Sequence, residues 1–343
     1  MGPGRARAVG SPGETRYLSY PMTLYLVTGG AGFIGSHLAS ALVERGDRVR
    51  VLDLVPAGQH RNLDHLEVGT VGSGAPVEYV CGDVARFADC QAAMTGVHAV
   101  LHEAAQVSVP ESVAQPVRSY QVNVMGTQNL LEAARAEGVQ RFLLAASAAA
   151  YGDNPEVPKR ESMIPEPCSP YASGKVAGEH LLRVWGLCYG MQTVALRYFN
   201  VFGPRQADDS PYTGVIAIFA RALLEGRAPT IFGDGGQTRD FTPVQNVVHA
   251  NLLALEADLE PGALINVGGQ ESVSLNDLYR VMADHLGFEA APSYGPTREG
   301  DVRHSLADIS RARALLGYEP LLDWREGLRQ TLDWYAERHA KRS

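Results

Sequence analysis

Apolar and polar positions fall into two alternating kinds of block along the first half of the chain. Leu24-Tyr25-Leu26-Val27 is a short unbroken apolar run, as expected of a strand buried on both faces. Phe33, Ile34, Leu38, Leu42 and Val43 then recur at helical spacing as far as Gly46. Further strand-like runs are Arg48–Asp53, Val77–Cys81, Ala99–His102 and Arg141–Ser147, with helices expected near Phe87 and from about Ser119 to Glu137. The polar, glycine-rich stretch Pro56 to Pro76 reads as loop with a short helix. After a proline-rich loop come a helix opening at Tyr171 and a strand over Gln192–Tyr198. Beyond it the pattern loosens into loops at 202–213 and 233–243 and helices near 214–226, 244–257, 274–286, 308–316 and 324–339. There are no internal repeats.

Strand–helix–strand units in series predict an α/β fold: a Rossmann-type doubly wound parallel sheet, with a smaller mixed C-terminal lobe. Residues 22–190 are expected to form mainly the nucleotide-binding domain, with the 192–198 strand also in its sheet. Residues 199–343 are expected to form mainly a substrate lobe interleaved with it. Residues 1–21, rich in Gly, Pro and Arg and without the apolar segment of a signal peptide, read as a disordered extension.

The turn between the first strand and helix carries Gly29, Gly32 and Gly35. At a strand-to-helix turn, Gly29 permits the bend, Gly32 the close approach of a pyrophosphate, and Gly35 the packing of the helix. The free N–H groups of Phe33 and Ile34 at the helix start face the phosphates, with the helix dipole adding attraction. The next strand ends in Asp53, 18 residues beyond Gly35, placed to accept both ribose hydroxyls of NAD and to repel a 2′-phosphate. Asp83, followed by Val84, lies just past a third strand. It is placed either to bond the adenine or to cap the helix near Phe87. The fourth strand ends in His102, read as a satisfied sheet-edge histidine. Beyond it Glu103-Ala104-Ala105-Gln106 has small residues where the cofactor runs.

Composition narrows the classes. Of 343 residues, 45% are hydrophobic and 20% charged, as in ordinary globular proteins, and the net charge of −8 leaves no electrostatic footprint for nucleic acid or an anionic membrane. No stretch approaches the roughly 18 apolar residues of a membrane span. Cys81, Cys90, Cys168 and Cys188 lack metal-binding spacing and read as reduced thiols, so no metal is expected and a cytoplasmic location is.

Tyr171 and Lys175 are four apart on one helix face. A tyrosine ionises near pH 10, and an ammonium alongside together with a positive nicotinamide favours the phenolate; lowering its pKa by about 3 units corresponds to roughly 4 kcal/mol. Ser147, at a central strand end, is placed to bridge between the tyrosine and a substrate hydroxyl. Arg239 and Arg298 stand in glycine-rich loops, where guanidinium forks match phosphate oxygens; surface pairing with Asp240 or Glu299 is the competing reading.

The glycine turn, Gly82-Asp83-Val84, Asn123, Ser147 with Tyr151-Gly152, Tyr171-xxx-Lys175 and Arg197-Tyr198-Phe199-Asn200 together resemble the extended short-chain dehydrogenase/reductase family. Tyr198-Phe199-Asn200-Val201-Phe202-Gly203-Pro204, Gly233-Asp234-Gly235 and Thr238-Arg239-Asp240-Phe241 are similar to its nucleotide-sugar 4-epimerases. The resemblance covers everything from Met22 onward. It implies tightly held NAD, a UDP-sugar substrate and a homodimer joined by a four-helix bundle. It further implies Tyr171 as base, Lys175 as its partner and ribose ligand, and Ser147 as hydroxyl bridge. Ala104, Ala105, Gln106, Asn123 and Tyr198 would line the cofactor. Ser108, Asn200, Arg239, Arg298, Asp301 and Ser305 would hold the sugar–diphosphate. Two features depart from the family pattern: Ala145-Ala146 where Ser-Ser is common, and Val107 where many glucose/galactose enzymes carry Lys.

The expected activity is C4 epimerisation of a UDP-hexose, UDP-N-acetylglucosamine and UDP-N-acetylgalactosamine included. Ser305 replaces the bulky aromatic residue of the glucose-restricted enzymes, unless it merely closes a turn. A UDP-hexuronic acid 4-epimerase is an alternative. A 4,6-dehydratase needs acids directly after the strand-end hydroxyl, where this chain has Ala148 and Ala149. A non-catalytic NAD(H) sensor has no use for Tyr171 and Lys175.

Overall fold

The computed structural model describes residues 23–208, 214–297 and 302–341. Seven strands in the first half, β1 (Leu24–Thr28), β2 (Arg48–Asp53), β3 (Val68–Gly69), β4 (Val77–Cys81), β5 (Ala99–His102), β6 (Arg141–Ser147) and β7 (Gln192–Tyr198), join one parallel sheet. An eighth, Ala263–Val267, adds to β7, so the order runs Ala263–Val267, β7, β6, β5, β1, β2, β4, β3. The sequence pattern alone misses this eighth strand. Its five residues are a short apolar run broken by Asn266, and its partner lies far upstream. In the fold Asn266 is fully buried and satisfied by Tyr151, Lys159 and Glu161.

Helices cover both faces because strands paired on both sides bury both rows of side chains. α1 (Phe33–Glu44) and α8 (Val244–Glu256) pack Leu38, Leu42, Val247, Ala250 and Ala254 on one face. On the other, α2 (Phe87–Met94), α5 (Gly126–Ala136) and α6 (Pro170–Tyr189) contribute Cys90, Met94, Leu130, Leu131 and Leu182. Thus α8 and Ala263–Val267 return to the first sheet, although they lie in the part of the chain read as the second lobe. A separate core holds α7 (Val215–Leu224), α9 (Leu275–Leu286) and α11 (Trp324–Ala340) together through Phe219, Leu278, Met282, Leu328 and Leu332. α10 (Ser310–Leu316) packs with the first core.

Two local departures from the sequence pattern have clear causes. The helix expected from about Ser119 to Glu137 is a π-helical turn, Gln121–Met125, followed by α5, and two short helices precede it, α3 (Val109–Ala114) and α4 (Pro116–Tyr120), which Pro110 and Pro116 start. The loop after Asp53 contains a single 3₁₀ turn, Arg61–Leu63, and the two-residue β3.

Candidate active site

The strand order turns back between β1 and β5, which opens a crevice at the carboxyl ends of the strands. Gly29 lies at its base with φ +67°, and a Cβ there would stand 2.8 Å from the Ala104 nitrogen. A Cβ on Gly35 would meet the Gly29 oxygen at 2.3 Å, so α1 seats directly on the turn. Gly32 is the N-cap of α1 and offers no side-chain acceptor, which leaves the helix-start N–H groups of Phe33 and Ile34 to a ligand. Asp53 accepts from the Ala31 N–H at 2.9 Å and the Val55 N–H at 3.1 Å, which fixes the carboxylate beside the glycine turn.

Asp83 accepts from the Ala85 N–H at 2.9 Å and pairs with Arg118 at 2.9 Å. It does not cap α2, whose N-cap is Arg86. Val84 is buried against α5, where a Cβ on Gly126 would strike it. Asn123, in the π turn, accepts from the Gln106 N–H at 2.9 Å and donates to the Gln106 carbonyl at 3.1 Å. It therefore braces the loop Ala104-Ala105-Gln106, and it reaches the cofactor path through that loop. The Gln106 side-chain oxygen is buried without a hydrogen-bond partner, while its amide nitrogen donates to the Ser108 carbonyl at 3.4 Å. Ser108 caps α3 by accepting from the Glu111 N–H at 3.2 Å. His102 is fully buried between Thr28 at 2.8 Å and Thr127 at 3.0 Å, and burial pushes its pKa down to about 3, so it stays neutral and structural.

Ser147 pairs in register with Tyr198 at the ends of β6 and β7. Tyr171 stands on the first turn of α6, near the Ser147 hydroxyl, which favours its phenolate. The Lys175 Nζ donates to the Ala145 carbonyl at 2.6 Å and lies 5.9 Å from the Tyr171 ring centre. The expected lowering of the Tyr171 pKa rests on the nicotinamide as well as on Lys175, and the protein alone holds the phenol up. Burial pushes the phenol up, the Ser147 hydroxyl opposes that, and the charge it feels is the Glu103 carboxylate, which raises it further. Lys175, buried, is itself pushed down to about 8, with Glu103 and then Glu179 holding it up.

Sequence reasoning missed Glu103 as a site residue. It follows a strand whose four residues are all buried, and an acid in that position is the signal that was available. Its carboxylate accepts from the Tyr198 hydroxyl at 2.9 Å, which in turn accepts from Asn251 on α8 at 2.8 Å. Burial pushes Glu103 up to about 7, opposed by the Tyr198 bond and by Lys175.

In the second lobe Asn200, Val201, Phe202, Gln206 and Phe241 line a small cleft of their own. The Thr242 N–H donates to the Asn200 carbonyl at 3.2 Å and the Ser305 N–H to the Thr238 carbonyl at 3.1 Å, so Arg239 and Ser305 lie on adjoining segments. Asp240 is fully buried and accepts from the Gly269, Gln270 and Ala307 N–H groups, which ties these segments together. Arg298, Asp301 and residues 1–21 lie outside the described residues. Among the described residues no cluster of His, Cys, Asp or Glu could hold a metal, and no helix is long and apolar enough to cross a membrane.

A dinucleotide fits what is present: an uncapped helix start, a backbone cradle that a Cβ would fill, a fixed strand-end carboxylate and an orphaned buried acceptor. Comparison with known proteins agrees. The model of the NAD dependent epimerase/dehydratase family matches residues 25–268. A UDP-glucose 4-epimerase of Mycolicibacterium smegmatis is 39% identical over 317 residues, 90% of this chain and 97% of that one. Two solved structures are similar. A UDP-N-acetylglucosamine 4-epimerase from Methanobrevibacter ruminantium, in complex with UDP-N-acetylmuramic acid, is 37% identical with TM-score 0.85, covering 92% of this chain and 99% of that one. A UDP-glucuronic acid 4-epimerase from Bacillus cereus, with UDP-glucuronic acid and NAD, is 31% identical with TM-score 0.82, covering 92% and 100%. The chain belongs to the NAD dependent epimerase/dehydratase family, short-chain dehydrogenase/reductase in type and on its UDP-sugar 4-epimerase side, and is an isomerase that works with NAD.

Proposed function

We propose that this isomerase inverts C4 of UDP-hexoses and accepts the 2-acetamido sugars UDP-N-acetylglucosamine and UDP-N-acetylgalactosamine at least as well as the plain hexoses. The observation that carries the reaction is the grouping of Ser147, Tyr171 and Lys175 at the strand ends, beside the glycine turn that suits a dinucleotide. Tyr171 takes the proton of the sugar 4-OH and later returns it, and Ser147, near the phenol, orients that hydroxyl. Lys175 supplies positive charge on the same helix face. NAD, when bound, accepts the hydride of C4 and gives it back to the opposite face of the 4-keto sugar.

Asn200 and Arg239 are the groups we assign to the sugar–diphosphate, with Arg298 and Asp301 as further candidates from the sequence. Gly29, Gly32, Phe33, Ile34, Gly35, Asp53 and the 104–106 loop are those for the dinucleotide. Arg239 has its local competitor reduced, because Asp240 is engaged by three backbone N–H groups. Ser305, whose N–H bonds the Thr238 carbonyl next to Arg239, is the small residue we assign to the wall beside the sugar's C2 substituent. Dehydration is disfavoured because Ala148 and Ala149 form a 3₁₀ turn with no acid after Ser147. A homodimer is supported by α3, α4 and α6, which expose Val113, Val117, Val184 and Leu187.

Purified protein incubated with UDP-glucose, UDP-galactose, their N-acetyl counterparts and UDP-glucuronic acid, with C4 epimers resolved by NMR, tests the reading. Turnover of the acetamido sugars is expected. Ser305→Tyr should block them while sparing UDP-glucose; equal loss of both, or a wild type inert toward acetamido sugars, sinks the assignment of this wall.

A further inference from the structure

The reaction as derived leaves one half-buried acid in the site without a task. Glu103 is set one residue past His102, yet the two point apart: His102 joins Thr127 on α5, whereas Glu103 joins Tyr198, which is held by Asn251 on α8. These helices lie on opposite faces of the sheet. His102 pairs with Leu144, so Glu103 lies beside Ala145, whose carbonyl takes the Lys175 Nζ at 2.6 Å, and its Tyr198 partner lies in register with Ser147; α8 contributes the uncharged Asn251. Lys175 is faced in turn by Glu179 and by His102. A half-buried carboxylate tied by one hydroxyl gains from a nearby opposite charge, and the buried Lys175 is the cation of this strand end.

We propose that Glu103 is a positioning residue of the proton-transfer site, whose carboxylate, fixed by the Tyr198 hydroxyl, supplies the negative charge against which both Lys175 and Tyr171 titrate. This deepens the reading of Tyr171 as the base and rests on it. The sign follows from Coulomb attraction and repulsion. An anion beside an ammonium stabilises the charged lysine, and an anion beside a phenol destabilises the phenolate, so it raises the pKa of both. Glu103 thereby keeps Lys175 charged in a site where burial alone drives it toward neutrality. The same charge restrains Tyr171 from ionising until other positive charge enters the crevice. Burial places the carboxylate's own ionisation at about 7, so the effect acts above neutrality.

Glu103→Gln tests this through two readouts in the full-length protein. The first is the ultraviolet titration of the Tyr171 phenolate, taken as the difference between each protein and its Tyr171→Phe counterpart. The second is the alkaline limb of the pH–rate profile. Both should move to lower pH by about one pH unit. Glu103→Asp, which keeps the charge, should move both most of the way back. Glu103→Met fills the same space without charge, guards against a Gln variant that fails to fold, and should behave as Gln does. A neutral variant that keeps both titrations at their wild-type positions, however slow it is, overturns the proposal and leaves Glu103 as a prop for Tyr198; so do Gln and Asp variants shifted alike. The phenolate titration uses no sugar, so it reports on Glu103 even where the UDP-sugar panel is inert, an outcome that would instead reject the epimerase reading.

Discussion

At Tyr171 the side chain's own neighbours work against its ionisation, since burial and the Glu103 carboxylate raise the phenol and only the Ser147 hydroxyl opposes them. A base so restrained stays protonated until the site is assembled around it. Tyr171→Phe should lower turnover by about 10²–10⁴-fold, the usual cost of losing a general base. UDP-sugar binding, measured by calorimetry, should hardly change, and near-normal turnover would place the base elsewhere. Asp53 is determined just as locally. Its carboxylate is clamped by the Ala31 and Val55 N–H groups, so it cannot swing aside for a 2′-phosphate. The purified protein should retain NAD in strong preference to NADP, and Asp53→Ala should relax that preference in a competition assay. Retention of the two cofactors in equal amounts would remove Asp53 from the ribose site.

Among the elements, α6 carries the chemistry and is held to β7 by a buried ion pair. Arg197, fully buried, donates twice to Glu179 at 2.8 Å and lies 4.6 Å over the Tyr151 ring. Glu179 is one turn beyond Lys175, so the pair sets the rotation of the helix that presents Tyr171 and Lys175. Removing one partner leaves a buried charge alone, which costs about 3–5 kcal/mol in comparable pairs. Glu179→Ala should lower unfolding free energy by that order in a denaturant titration and loosen NAD retention. A variant as stable as the wild type would show that Arg197 finds another partner. The start of α6 was legible to within a residue, at Tyr171; in the fold Ser169 caps the helix and Pro170 opens it. The Arg197–Glu179 contact was not, since 18 residues, the second half of α6 and the turn into β7, separate the two.

For the whole molecule, the acidic net charge and the absence of any membrane-length helix among the described residues leave association to local apolar surface. Val113 and Val117 are 62% and 70% exposed, and Leu187 is 64% exposed on α6, against which α3 and α4 pack. Large exposed aliphatic side chains concentrated on neighbouring helices mark a surface for association. The wild type should sediment as a dimer, and the double variant Val117→Glu, Leu187→Glu as a folded monomer. A wild type that is monomeric at micromolar concentration would reject the homodimer.

The sequence by itself determined what short-range chemistry can write. Strand and helix periods, the glycine turn with Asp53 at the next strand end and the Tyr171–Lys175 spacing all lie within a few turns of chain, where residue type and spacing decide the geometry. Other features were settled only when distant segments met. Ala263–Val267 becomes a strand because β7 offers it an open edge. Asn123 turns to the Gln106 backbone because the π turn aims it there. Arg239 and Ser305 become neighbours through bonds between loops about 65 residues apart, as the Ser305-to-Thr238 pairing shows. The charge felt by Tyr171 was the least readable of these. Coulomb energy depends on separation and burial, and Glu103 reaches the phenol across the sheet end from a strand 68 residues earlier.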